Sequence, residues 1–153
     1  MQRELIAAAG RLGITIATAE SLTAGLVASK LAQVPGASAV LRGGIVAYAT
    51  DVKQSVLGLD PSILEHVVSE PVAAAMASGA ARVLSADIGV STTGVAGPDS
   101  LDGQGPGTVW LAAYDARNGT IKTKLLEIDG DREQIREQSA NEAIALVMEL
   151  LSS

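Results

Sequence analysis

The stretch "ITIATAESLTAGLVASKL" (residues 14–31) changes character in its middle. Up to Thr18 it is a short, mostly β-branched apolar run that reads as a buried strand. After Ser21, small and aliphatic residues recur at helical spacing, and the spacing predicts a helix over 22–34 closed by Pro35-Gly36. Glu20, Ser21 and Thr23 stand at the junction. A strand handing over directly to a helix is the elementary unit of α/β folds, in which ligand sites gather where strands end. Ser21 therefore has two readings. It is the helix cap, its hydroxyl accepting a first-turn N–H for about 1 kcal/mol, or it is a nucleophile at the mouth of a site. The surrounding sequence is not G-x-S-x-G, which excludes the strand-to-helix elbow of the α/β-hydrolases.

Outward from this junction, strands and helices alternate. Residues 2–12 have helical spacing and stop at Gly13, and "AVLRGGIVAYA" (39–49) reads as a strand interrupted at Gly43-Gly44. "TDVKQSVLGL" (50–59) opens on capping residues and ends near Gly58. "DPSILEHV" (60–67) reads as a short helix, and "SEPVAAAMASGAARVLS" (69–85) as a longer one capped by Ser69. "DIGVSTTG" (87–94) is a strand running into the glycine-rich loop 94–107. "TVWLAAYD" (108–115) and "TIKTKLLEID" (120–129) pair as a hairpin, and residues 131–151 form a final amphipathic helix. The expected architecture is a single domain, residues 1–153, of three α/β/α layers around a mixed sheet.

Composition narrows the chemistry. The chain has 48% hydrophobic residues but only 2% aromatics and no Phe, so Ala, Val, Leu, Ile and Gly must pack closely. With no Cys there is no thiolate chemistry and no disulfide framework. His66 is the only histidine, which rules out a multi-His metal site, and neither a metal nor a cofactor is expected. The net charge of −6, without a basic block, argues against an extended nucleic-acid surface. No apolar run reaches the roughly 18–20 residues that span a bilayer. The start "MQRELIAAAGRLG" lacks the pattern of a secretory signal, so a cytoplasmic location without membrane association is expected.

A serine nucleophile needs a base. His66 lies in a short, exposed-looking segment, Lys30 points away along its helix, and Lys122 and Lys124 fall on solvent-facing positions of a late strand. Lys53 follows the apolar strand "GGIVAY", and Tyr48 ends that strand. Ser21, Tyr48 and Lys53 can therefore meet, with Lys53 serving as a base if burial lowers its pKa. "STTGVAGPD" (91–99) either makes a permissive turn or offers hydroxyls and N–H groups to a ligand. "GDREQIR" (130–136) is either a solvated, capped helix start or a clamp for a carboxylate or phosphate through Arg132 and Arg136. Asp87, Asp99 and Asp102 read as loop solvation rather than a metal cluster.

Taken together, "TAESLTAGL", "GGIVAYATDVK", "VSEPVAAAMA", "TTGVAGPD", "GTVWLA" and "GDREQIR" resemble, in order, the motifs of the CinA C-terminal domain family, over residues 2–151. That family includes stand-alone nicotinamide-nucleotide amidases, which hydrolyse the carboxamide of nicotinamide mononucleotide to nicotinate mononucleotide and ammonia in pyridine-nucleotide recycling. The resemblance implies Ser21 as nucleophile, Lys53 as base and Tyr48 as their orienting or proton-sharing partner. It implies oxyanion contacts from the N–H groups of Thr23, Ala24 and Gly25. Substrate contacts are implied at Gly44, Thr93, Gly94 and Arg132, with Arg136 as the alternative arginine. One departure stands out: the family often has Cys-Thr-Gly-Gly after the serine, whereas this chain has Leu22, Thr23, Ala24 and Gly25. Two rival readings are a nucleotide-binding module without turnover and an interaction domain. The Ala-rich face of "VAAAMASGAARV" permits close helix contact, so a homo-oligomer is expected alongside a small mononucleotide partner.

Overall fold

The computed structural model describes residues 1–153. In chain order it comprises α1 (Gln2–Leu12), β1 (Ile16–Glu20), α2 (Leu26–Ala32), β2 (Leu41–Val46), α3 (Thr50–Ser55), α4 (Glu70–Val83), β3 (Ile88–Gly94), β4 (Thr108–Asp115), β5 (Thr120–Glu127) and α5 (Arg132–Ser152), with 3₁₀ turns at Ala37–Ala39 and Pro61–Ile63. The five strands form one sheet in the order β2-β1-β3-β4-β5. β2, β1 and β3 run parallel, and β4 and β5 close the sheet as an antiparallel hairpin. The mixed α/β/α sheet expected from the alternating elements is the one observed.

Side-chain alternation sorts the two layers. Ile16 of β1 and Ile88 and Val90 of β3 face a core shared with Leu5 and Ile6 of α1, Val27 and Leu31 of α2, and Ile135 and Ile144 of α5. Ala17 and Ala19 of β1 face the other way, against Val72 and Met76 of α4. With no Phe and one Trp, this second layer closes by proximity rather than by bulk. Ala73, Met76, Ala77 and Ala80 are fully buried, and a Cβ on Gly89 of β3 would stand 1.9 Å from the Ala77 carbonyl oxygen. The Ala-rich face of α4, expected to pair subunits, is therefore taken up within the chain by the sheet.

Several boundaries differ from the sequence reading: β1 is Ile16–Glu20 rather than 14–18, and β2 is Leu41–Val46 rather than 39–49, with Gly43 and Gly44 both paired to β1 instead of interrupting the strand. α2 begins at Leu26 rather than Leu22, because residues 21–25 form a turn in which Ala24 and Gly25 have φ of 49° and 97°. The predicted helix at 60–67 contracts to the 3₁₀ turn Pro61–Ile63, whose Asp60 side chain accepts from the Ser62 N–H.

The β3–α4 contact yields a direct test. Gly89→Ala inserts a methyl where backbone already stands, so stability should fall by about 3 kcal/mol or more, read as a lower urea midpoint. An unchanged midpoint would show that β3 and α4 do not approach so closely.

Candidate active site

Every residue of β1 is buried, including Glu20 at its carboxyl end. Alternation puts Thr18 and Glu20 on the α2 side of the sheet, in line with Ile16. There the Glu20 carboxylate accepts from Thr18 Oγ1 (3.1 Å), Thr23 Oγ1 (2.6 Å) and the backbone N–H groups of Val27 (2.8 Å) and Ala28 (3.1 Å). Glu20, not Ser21, thus satisfies the first turn of α2 and meets its positive end with a carboxylate. Ser21 is released from capping. Its N–H bonds to the Thr92 carbonyl at 3.0 Å, and its hydroxyl caps no N–H of the helix.

What the Ser21 hydroxyl meets is Lys53. Nζ lies 3.2 Å from Ser21 Oγ, 2.8 Å from the Ala47 carbonyl oxygen and 3.2 Å from that of Tyr48. Lys53 projects from the single turn and a half of α3, 2% exposed. Burial pulls its pKa from 10.5 down to about 8, because a primary amine loses hydration more cheaply uncharged. In the neutral form its two N–H bonds suit the two carbonyls, which leaves the nitrogen lone pair for the serine proton.

Ser21 opens into a cleft of 370 Å³ lined by Leu22, Tyr48, residues 94–101 and Arg132. It lies beyond the carboxyl ends of β1 and β3, the crevice that open α/β sheets use for ligands. The α5 capping box, Asp131 with Gln134, fixes where that helix starts and so brings Arg132 to the cleft. Arg132 donates to the Gly97 carbonyl and, at 2.9 Å, to the Tyr48 hydroxyl, spanning the mouth. One turn on, Arg136 donates to the Leu22 (2.8 Å) and Thr23 (3.2 Å) carbonyls and pins the 21–25 turn from below.

The structure brings Ser21, Lys53, Tyr48, Gly94 and Arg132 to one place and separates the other expected residues from it. The Tyr48 side chain is on Arg132, and only its backbone carbonyl touches Lys53. Arg136 supports the serine turn rather than lining the cleft. Thr93 turns to the α4 side and donates to the Val67 carbonyl at 2.7 Å. Gly44 lies within β2 beside Thr18, where a Cβ would meet Thr18 Oγ1 at 2.5 Å, and it serves packing. Among the expected oxyanion donors, the Ala24 N–H is held by the Ser21 carbonyl at 3.1 Å, and neither Thr23, which is fully buried, nor Gly25 lines the cleft. The N–H groups of Leu22, Ala96 and Gly97 make no hydrogen bond within the chain, and all three residues line the cleft. Ala24 carries its methyl at positive φ on the exposed side of the turn. No group of His, Asp and Glu is arranged to hold a metal ion, and no helix is long and apolar enough to cross a membrane.

The sequence reading missed Glu20 and Thr92. Period-two alternation was the available signal: in β3, Ile88, Val90 and Thr92 share the α2 side, whereas Ser91 and Thr93 face α4. Thr92 Oγ1 accordingly lies 2.8 Å from Thr23 Oγ1 and 3.3 Å from the Ser21 nitrogen.

The family model for the CinA C-terminal domain matches residues 1–151. The chain belongs to the CinA C-terminal domain family. It is 45% identical over 142 residues to a putative competence-damage inducible protein of Lactiplantibacillus plantarum, covering 91% of this chain and 33% of that one. It is 47% identical over 142 residues to a CinA-like protein of Frankia casuarinae, covering 90% and 32%. The chain thus spans about a third of the length of these relatives. Among solved structures, a competence/damage inducible protein from Agrobacterium tumefaciens superposes with a TM-score of 0.93 at 34% identity, covering 99% of this chain and 93% of that one. A CinA superfamily protein from Escherichia coli gives 0.90 at 30%, covering 98% and 90%.

The buried lysine of this CinA-family site has a stability signature. Between pH 8 and 10.5 the unfolded chain binds a proton that folded Lys53 does not, so stability rises with pH across that window, and the penalty for burying the amine is fully felt below it. Relative to Lys53→Met, wild-type unfolding free energy should gain about 3 kcal/mol between pH 7 and pH 10.5. Parallel pH curves for the two proteins would contradict the shift.

Proposed function

We propose that the protein is a Ser-Lys amidohydrolase that converts nicotinamide mononucleotide to nicotinate mononucleotide and ammonia. The observation that carries the reading is the 3.2 Å approach of a buried, pKa-lowered Lys53 amine to Ser21 Oγ at the floor of a cleft. The cleft volume lies within the ~300–1,000 Å³ of small-molecule sites, and membership of the CinA C-terminal domain family supports the choice of amide.

In this scheme Ser21 Oγ attacks the carboxamide carbon as its proton passes to neutral Lys53. The tetrahedral oxyanion is met by cleft-lining N–H groups, with Leu22, Ala96 and Gly97 among the free donors. The first turn of α2 is not available for this, since Glu20 holds it. The C–N bond then breaks, and Lys53 returns the proton to the departing ammonia. Water attacks the acyl-enzyme, again giving its proton to Lys53, and the carboxylate leaves with Ser21 restored. Arg132 is the cationic group for the phosphate, and its bond to Tyr48 yields when the nucleotide enters. The pyridinium charge of the substrate further disfavours protonated Lys53, keeping the base competent.

Ammonia release measures this directly. Ser21→Ala and Lys53→Ala should each lower kcat by about 10³-fold or more, and kcat/KM should rise with pH to a plateau above about 8, where Lys53 is neutral. Near-wild-type turnover in either variant, or activity that falls as pH rises through that value, would contradict the proposal.

A further inference from the structure

Glu20 is a buried carboxylate, 1% exposed, that takes no part in the bond-making above. All its partners are donors: two backbone N–H groups of α2 and the hydroxyls of Thr18 and Thr23. This fixes the direction of the neighbouring hydrogen bonds. A carboxylate only accepts, so the Thr23 proton points to Glu20. Thr23 Oγ1 then has only lone pairs left for Thr92, 2.8 Å away, so Thr92 must donate to it. Thr92 Oγ1 in turn accepts from the Ser21 N–H at 3.3 Å, beside the 3.0 Å bond of that N–H to the Thr92 carbonyl. Every proton in the chain points towards Glu20, the arrangement in which linked hydrogen bonds reinforce one another.

Resting on the reading of Ser21 as the nucleophile, we propose that Glu20 is its positioning residue. By replacing Ser21 as the cap of α2 and anchoring the one-way chain from the Ser21 N–H through Thr92 and Thr23, it holds the serine backbone so that the hydroxyl is left to Lys53. A cap alone would need only the two backbone bonds. The hydroxyl relay to Ser21 is what a purely structural role does not require.

The test reads Ser21 reactivity without using the amide substrate. An alkyl fluorophosphonate reacts as Ser21 Oγ forms the O–P bond, fluoride leaves and Lys53 takes the proton. Intact-mass and peptide analysis give the rate and the site of labelling. Thr23→Val keeps the shape and removes the link, so labelling should slow about tenfold. The thermal midpoint should fall, because Glu20 and Thr92 each lose a buried partner, whereas the midpoint of the pH–rate curve, set by Lys53, should stay in place. Thr23→Ser restores the hydroxyl and should restore the rate. Should Thr23→Val fail to fold, Thr92→Val breaks the chain one link nearer to Ser21 and should slow labelling similarly. Wild-type rates in the folded valine variant, or Thr23→Ser as slow as Thr23→Val, would overturn the positioning role while leaving Ser21 as nucleophile. A wild-type protein that does not label at Ser21 at all would overturn the nucleophile reading and this inference with it.

Discussion

Hiding a primary amine from water is costly, and this fold does so at one point, Lys53. The amine is enclosed by the Ala47 and Tyr48 carbonyls and the Ser21 hydroxyl. Its position depends on β2 ending beside β1, with Glu20 paired to Val46, so that the turn into α3 folds back over the serine. β3 on the other side of β1 supplies the Thr92 carbonyl that holds the Ser21 N–H. Three parallel strands with their carboxyl ends aligned are thus what bring a residue from position 53 and a residue from position 21 together.

The helix start beside the serine does work different from the one a strand-to-helix junction suggests. Such a junction offers free N–H groups and a positive dipole end, an attractive oxyanion site. Here Glu20 occupies both, and the unpaired N–H groups that face the cleft lie instead in the Leu22 turn and in the loop after β3. The division leaves the serine hydroxyl without a structural duty. Arg136 secures the same turn through its carbonyls, and Arg132, one turn earlier on α5, is left to face the cleft.

Much of the fold was legible because its signals are local. The β-branched run before Ala19, Ser69 with Pro71 at the start of α4, and Asp131 with Gln134 at the start of α5 each mark an element by short-range chemistry. The Ser21–Lys53 pairing was legible only by joining an apolar strand to the residue it delivers. Elsewhere the deciding fact was a face or a distant partner. Ser21 and Glu20 are both polar residues at a helix entrance, and propensity favours Ser as cap. Burial on the α2 side of β1 gives the cap to Glu20 instead. Thr92 and Thr93 are the same residue type side by side, and the pleat sends one to Ser21 and the other to Val67. The Ala-rich face of α4 suits another subunit and the sheet of its own chain equally well, and the bare Cα of Gly89 decides for the sheet.

The proposed chemistry needs Lys53 to be a base by virtue of where it sits. The most direct measurement is a heteronuclear NMR titration of the lysine side chains, with the Lys53 resonance assigned by its loss in Lys53→Met. A midpoint of about 8 is expected for that residue. A midpoint at the ordinary lysine value of 10.5 would mean a protonated amine beside Ser21 at neutral pH, and would contradict it.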